Sequence, residues 1–327
     1  MTALPTRRLG RSNLTVTALG LGTWALGGET TTNGMPGGYG NMDDAEAEQA
    51  VYLALESGIN LVDTADIYGM GHSERMLRRA LADFPEVLIA TKFGNSFDEA
   101  TKTALGPNVT PGYIRQAVRA SLERLGRDVI DLYQLHTFQL TTTQSDDVVA
   151  TLEELADQGL IRWYGVSNDD PAQIAGIAKG PRCTLVQIEL NVLDDNPAAL
   201  AAAAEHDLGV VCRSPLAMGL LGGRYSAATK LPANDIRGKQ PEWLRWFTDG
   251  VPDPGYLERL DQVKALLTSG GRSVAQGALA WIWARSDRAI PLPGFRNRDQ
   301  VHDNLGTAVA GPLDPATFAA IQRTLGR

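Results

Sequence analysis

Eight times along this chain an apolar, strand-like run is followed by a helix-like stretch, and this alternation constrains the fold more than any other feature. Strict alternation of this kind gives a parallel sheet joined by right-handed crossovers. The first four runs are Leu19-Gly20-Leu21-Gly22-Thr23-Trp24, Ile59-Asn60-Leu61-Val62-Asp63, Val87-Leu88-Ile89-Ala90-Thr91-Lys92 and Val129-Ile130-Asp131-Leu132-Tyr133-Gln134-Leu135-His136. The next are residues 161–168, 184–189 and 208–216, and the last is Ala289-Ile290-Pro291-Leu292-Pro293-Gly294. Helix starts and stops fall between them: Asp43-Asp44 before a helix that Gly58 ends, Thr110-Pro111 before one that Gly126 ends, and Ser273 before another. Residues 9–18 alternate polar and apolar around Gly10-Arg11-Ser12-Asn13, a hairpin pattern, and residues 298–305 open a final helix. The prediction is an α/β chain: a (β/α)8 TIM barrel with an N-terminal β-hairpin and extra helices, one domain over residues 1–327. The runner-up is an open doubly wound sheet. It lacks the Gly-x-Gly-x-x-Gly fingerprint, because Gly20 and Gly22 lie inside the first strand.

Two stretches break the rhythm. Residues 25–42 are glycine-rich and polar and read as a solvated linker or a lid; residues 219–254 are long and irregular, as functional loops often are.

Composition narrows the classes. A net charge of −8 leaves no basic excess for phosphates, so nucleic acid is not an expected partner. There is no run of apolar residues long enough to span a membrane, and the first ten residues lack a signal-peptide core. Cys183 and Cys212 lie in apolar strands without metal-ligand spacing, which suits buried free thiols in a cytoplasmic protein; no metal is expected.

The strand tips carry the chemistry. Active sites of parallel barrels lie at the carboxyl ends of the strands. Asp63, Lys92 and His136 end the second, third and fourth strands, and Tyr68 follows Asp63 in a loop shaped by Gly69 and Gly71. Taken singly, Asp63 could be a helix cap and Tyr68 a surface tyrosine. Neighbouring strands lie about 4.8 Å apart, so the four groups can converge at one mouth. A free phenol, with a pKa of about 10, is a weak acid at neutral pH, and a nearby ammonium lowers that value. Asp63 supplies the counter-charge that a buried Lys92 needs, and His136 can hydrogen-bond an oxygen that gains charge. The set suits proton donation to a carbonyl oxygen. The chain holds no hydride source, so a nicotinamide cofactor is implied.

With these motifs the sequence resembles the aldo-keto reductase superfamily over nearly its whole length. The matching stretches are Asp63-Thr64-Ala65-Asp66-Ile67-Tyr68-Gly69, Ala90-Thr91-Lys92, Tyr133-Gln134-Leu135-His136, Gly165-Val166-Ser167-Asn168, Ser214-Pro215-Leu216 and Pro293-Gly294. The resemblance implies NADPH-dependent reduction of an aldehyde or ketone. Tyr68 would be the general acid, Lys92 its pKa modifier, Asp63 the partner of Lys92, and His136 the group that orients the carbonyl. Gly22, Thr23 and Trp24 would border the cofactor, while Ser167, Asn168 and Gln187 would hold the nicotinamide carboxamide. Ser214, Leu216, Gly219 and Leu221 would carry the pyrophosphate; Gly294, Arg296, Gln300 and Asn304 would carry the adenosine end. Many relatives have an aromatic residue before Ser-Pro-Leu that stacks on the nicotinamide. Here the position is Arg213, as in bacterial branches with longer loops, and its planar guanidinium is expected against the nicotinamide or its ribose-phosphate. Arg296, with Arg298 second, favours NADPH over NADH.

Other classes stay in view. Potassium-channel β-subunits resemble this superfamily and regulate a partner; a chain starting near its hairpin, with the catalytic set complete, favours turnover instead. An isomerase or lyase barrel would need a metal cluster or a phosphate site. Operation as an NAD(P)-dependent sugar or alcohol dehydrogenase is the same chemistry reversed. The partner expected is a small carbonyl compound, with sugar carbonyls preferred because the loops are polar as well as aromatic. Trp24, Tyr68, His136, Trp243 and Trp246 are the expected pocket, although Trp243 and Trp246 could equally pack their loop onto the barrel. Monomer and homo-oligomer are both open.

Overall fold

The computed structural model describes residues 4–32, 35–137, 139–239, 241 and 243–327, with the backbone alone for Thr32 and Met35. The chain opens with the expected hairpin, Thr6–Arg8 paired antiparallel with Thr15–Thr17. Eight parallel strands follow: β1 (Leu21–Gly22), β2 (Leu61–Asp63), β3 (Leu88–Phe93), β4 (Ile130–Leu135), β5 (Ile161–Ser167), β6 (Cys183–Glu189), β7 (Gly209–Arg213) and β8 (Ala289–Pro291). They lie side by side in chain order. The sheet then closes on itself. Gly20 N–H donates to Pro291 O at 3.1 Å and Gly22 N–H to Pro293 O at 3.2 Å. This is the (β/α)8 barrel that the alternation predicts.

Around it pack α1 (Asp44–Glu56), α2 (His72–Asp83), α3 (Pro111–Leu125), α4 (Thr142–Asp157), α5 (Pro171–Ala178), α6 (Pro197–Glu205), α7 (Pro254–Leu267), α8 (Val274–Arg285), α9 (Arg298–Ala310) and α10 (Pro315–Thr324). Their ends follow local chemistry. Thr110 caps α3 through Tyr113 N–H and Gly126 ends it; Thr141 and Ser273 open α4 and α8 with reciprocal capping boxes.

Side chains alternate between the two faces of each strand. Leu61, Ala90, Leu132, Leu185, Val211 and Ile290 point inward and fill the barrel, and Leu9 and Val16 of the hairpin join that cluster at its floor. The outward residues, such as Ile89, Phe93, Tyr133 and Val186, meet the helices. Two positions further along the strands, on the same inward parity, come Asp63, Lys92, Gln134, Gln187 and Arg213. The barrel interior thus turns from apolar to charged and polar in one step at its carboxyl end.

Three features depart from the sequence expectation. Asn95–Asp98 and Thr103–Pro107 form an antiparallel hairpin after β3; Thr103 lies opposite Thr31 in parallel register, and Thr31 N–H donates to Lys102 O at 3.1 Å. No strand is expected there, because neither face of that hairpin is fully buried and its sequence carries no hydrophobic period. Arg298 opens α9, but α9 is not the last helix, since α10 follows it. The irregular stretch after β7 holds 3-10 turns at Ala217–Gly222 and Ile236–Gly238 and a small ribbon, Phe247–Thr248 with Val251–Pro252.

Candidate active site

Lys92 is the hub. Its side chain is fully buried, and its three ammonium protons have three acceptors. Nζ donates to Asp63 Oδ1 at 2.5 Å, to Thr64 O at 2.7 Å and to Tyr68 Oη at 3.2 Å. The second carboxylate oxygen of Asp63 accepts from Gln134 Nε2 at 2.8 Å and from Gln187 Nε2 at 2.9 Å. A carboxylate and an ammonium can be withdrawn from water only when their hydrogen bonds are met in this way. The register explains the convergence: Lys92 lies opposite Gln134, and Ser167 opposite Gln187, on adjacent strands. Sequence reading passes over Gln134 as a site residue and takes Gln187 either to hold a carboxamide, as the resemblance implies, or to be a polar residue of the barrel interior. Both are second supports of Asp63. The available signal was inward parity, since Gln134 follows Leu132 and Gln187 follows Leu185 by two.

Tyr68 reaches this hub because its loop folds back over β1. Gly69 has φ of 66°, and a β-carbon there would lie 2.1 Å from Gly27 O. Only glycine allows that approach. Thr23, Thr64 and Ser73 lock the base of the loop through a buried hydroxyl chain: Thr64 donates to Ser73, Ser73 to Thr23, and Thr23 to Asp63 O.

The electrostatics are opposed. Burial pulls the Lys92 ammonium down, but Asp63 and then Tyr68 pull it up, and the net direction is up. Burial pushes the Tyr68 phenol up; Lys92 lowers it, Asp63 raises it again, and the net direction is up. The expected lowering by Lys92 is therefore present but outweighed, because burial raises the phenol and the Asp63 charge adds to it. His136 is pushed down to about 3, first by burial and then by Lys92 and Arg213, so it is a neutral imidazole. Its Nδ1 has no hydrogen-bond partner among the described residues. Its backbone is pinned, N–H to Phe93 O at 2.7 Å and O accepting from Asn95 Nδ2 at 2.6 Å. The imidazole meets Tyr68 edge to face at 6.2 Å.

Aromatic rings wall the mouth. Trp24 stacks on Tyr68 at 6.0 Å, and Tyr39 and Trp243 pack against Trp24 at 5.2 and 6.1 Å. Trp243 is half exposed. Trp246 is not brought to the site. It is buried, and its indole N–H donates to Asp194 at 2.8 Å, so it packs its loop onto the barrel. Proximity in sequence to Trp243 misleads here because the chain turns between the two rings.

The expected cofactor residues form an arc on the same end of the barrel. Ser167 and Asn168 are buried at the β5 tip, and Asn168 Nδ2 donates to Thr137 O at 3.2 Å. Arg213, at the β7 tip, is bound by Asp169 and by Glu189 at 3.1 Å. Its charge is felt at both Tyr68 and His136. The chain then bends through left-handed residues, Ser214 (φ 51°), Ala217 (47°), Met218 (52°) and Gly219 (94°). Leu221 is a core side chain and Leu216 a half-buried one. At the far end Gly294 is exposed, Arg296 N–H donates to Gln300 Oε1 at 2.7 Å, and Arg296 Nη2 donates to Asn41 O at 2.7 Å. Asn304 follows one turn beyond Gln300 and is buried, and Arg298 is exposed. A strained, sharply bent backbone after β7, flanked by amide, hydroxyl and guanidinium groups, fits an extended dinucleotide with polar groups along its length.

The aldo/keto reductase family model matches residues 18–325. The chain belongs to the aldo/keto reductase family, and it is an oxidoreductase. This family member is 30% identical to the aldo-keto reductase yakc of Schizosaccharomyces pombe, whose name carries NADP(+), over 98% of this chain and 91% of that one. It is 31% identical to the NADH-specific methylglyoxal reductase of Escherichia coli, over 91% of each chain. Among solved structures it resembles a glycerol dehydrogenase from Gluconobacter oxydans at 30% identity, with a TM-score of 0.82, covering all of this chain and 96% of that one. The names of these relatives differ in cofactor, NADP(+) or NADH, and in substrate, methylglyoxal or glycerol, so the family alone selects neither. No group of three or more His, Cys, Asp or Glu among the described residues could hold a metal ion, and no described helix is long and apolar enough to cross a membrane. Both cysteines are buried and unpaired.

Proposed function

We propose that this aldo-keto reductase uses NADPH to reduce the carbonyl of a small aldehyde or ketone, with residues 1–327 forming one barrel domain. The observation that carries the reading is the position of Lys92 between Asp63 and the Tyr68 hydroxyl. When bound, the nicotinamide supplies hydride to the carbonyl carbon. The Tyr68 hydroxyl gives its proton to the carbonyl oxygen, and the Lys92 ammonium stabilises the phenolate left behind. Asp63, held by Gln134 and Gln187, keeps Lys92 charged. His136 is neutral, and it orients the carbonyl oxygen by hydrogen bonding without adding a charge that would compete with Lys92. Ser167, Asn168 and Arg213 hold the nicotinamide end, residues 214–221 the pyrophosphate, and Gly294, Arg296, Gln300 and Asn304 the adenosine end. Arg296 favours the extra phosphate of NADPH, and the choice rests on that residue, because the relatives' names divide between NADP(+) and NADH. Trp24, Tyr39 and Trp243 suit a substrate with a flat or sugar-like face. The reverse reaction, alcohol oxidation, uses the same groups.

The test is NADPH oxidation with a panel of aldehydes, ketones and sugars. Turnover that disappears in Tyr68→Phe supports the reading. Tight NADPH binding with no turnover on any carbonyl would favour a regulatory role like that of the channel β-subunits.

A further inference from the structure

We infer that Arg237 is a positioning residue that ties the backbone loop after β7 to the aromatic wall over Tyr68, so that cofactor affinity and carbonyl KM depend on one guanidinium; the inference rests on the function proposed above. Arg237 lies in the irregular connection after β7, away from the four catalytic groups. It forms a forked ion pair with Asp235, Nε to Oδ1 at 2.9 Å and Nη2 to Oδ2 at 2.6 Å. The two side chains are only 6% and 3% exposed. A buried ion pair is weak evidence for stability, because desolvation offsets most of the attraction. What it does well is hold one geometry.

Each side of this guanidinium touches a different part of the site. Nη1 donates to Met218 O at 2.8 Å and to Tyr225 Oη at 2.9 Å. Met218 and Ala217 are non-glycine residues in left-handed backbone. Such conformations persist only when their surroundings enforce them, and the bond to Met218 O is one such constraint. The flat face lies 4.8 Å from the Tyr39 ring. Tyr39 packs on Trp24, and Trp24 stacks on Tyr68. The backbone repeats the link: Ile236 N–H donates to Gly38 O at 2.8 Å. A continuous line of contacts therefore runs from the expected pyrophosphate loop through Arg237 to the proton donor.

The test compares wild type, Arg237→Met, Arg237→Lys, Tyr39→Leu and the Arg237→Met/Tyr39→Leu double variant. NADPH Kd is read from quenching of protein fluorescence, without turnover; kcat and KM come from carbonyl reduction. Arg237→Met should raise both Kd and KM by about tenfold, as expected for loss of a hydrogen bond from a charged group, while saturated kcat moves much less. Tyr39→Leu should raise KM and leave Kd unchanged, and the double variant should match Arg237→Met in KM rather than multiply the two effects. If Arg237→Met does not fold, Arg237→Lys decides, since it keeps the charge and loses the fork: a raised Kd at an unchanged unfolding midpoint supports the inference. Kd unmoved in the folded arginine variants, or independent effects in the double variant, overturns it. Absence of NADPH binding by the wild-type protein overturns the functional reading, and this inference with it.

Discussion

Lys92 Nζ sits 2.5 Å from Asp63 Oδ1, with the lysine side chain wholly and the aspartate almost wholly out of solvent, at 0% and 5% exposed. The pair is the centre of the barrel mouth. Both charges act on Tyr68, and that of Lys92 acts on His136; four hydrogen bonds with neighbouring groups keep the pair in place.

Removing one partner should therefore be costly. Lys92→Met leaves the Asp63 carboxylate buried without its counter-ion, and urea unfolding should show a loss of about 3–5 kcal/mol. Lys92→Met combined with Asp63→Asn should recover part of that loss. Equal stability of the single and double variants would mean that the carboxylate is compensated by Gln134 and Gln187 alone.

Tyr68→Phe deletes the proton donor and the third acceptor of Lys92. Carbonyl reduction should fall by roughly 10²–10⁴, the range for loss of general acid catalysis, with NADPH Kd unchanged. Near-normal turnover would reject Tyr68 as the acid.

His136 makes stability pH-dependent. Its native-state value is pushed down to about 3 from an ordinary 6.5, so the unfolded chain takes up this proton first. The stability linked to it is whole above 6.5 and is lost as pH falls through the window toward 3, at up to about 1.4 kcal/mol per pH unit. Denaturant unfolding between about pH 7 and pH 5 should show a smaller loss in His136→Gln than in wild type. Identical losses would show that the imidazole is hydrated in solution.

Arg296→Ala should weaken NADPH more than NADH, since only NADPH carries the additional phosphate. The comparison is the ratio of kcat/KM for the two cofactors in each protein. An unchanged ratio would place the phosphate contact elsewhere, with Arg298 the next to replace.

The barrel was legible because its signals are local. Apolar runs, the Thr110-Pro111 start and the Gly126 stop act within a few residues, and strand order follows from chain order. Asp63, Lys92 and His136 were legible as a set for the same reason, each being the last residue of its run or close to it. The sequence also held the key to Gln134, through its parity with Leu132, but parity shows only which way a side chain points and not what it meets.

What the tertiary structure alone decided depends on contacts between distant segments. That Gln134 and Gln187 share one oxygen of Asp63 required three strands in register. That Trp243 reaches Trp24 while Trp246 turns into the core toward Asp194 depended on the path of a loop without hydrophobic period. The net upward direction of Tyr68, against the pull of Lys92, came from burial and from Asp63, and burial is a property of the folded chain. Sequence by itself determined which ionisable groups stand at the barrel's carboxyl end, because strand length and alternation are written locally. Only the folded structure decided their partners and their protonation, because both depend on distance and desolvation, which no short stretch of sequence contains.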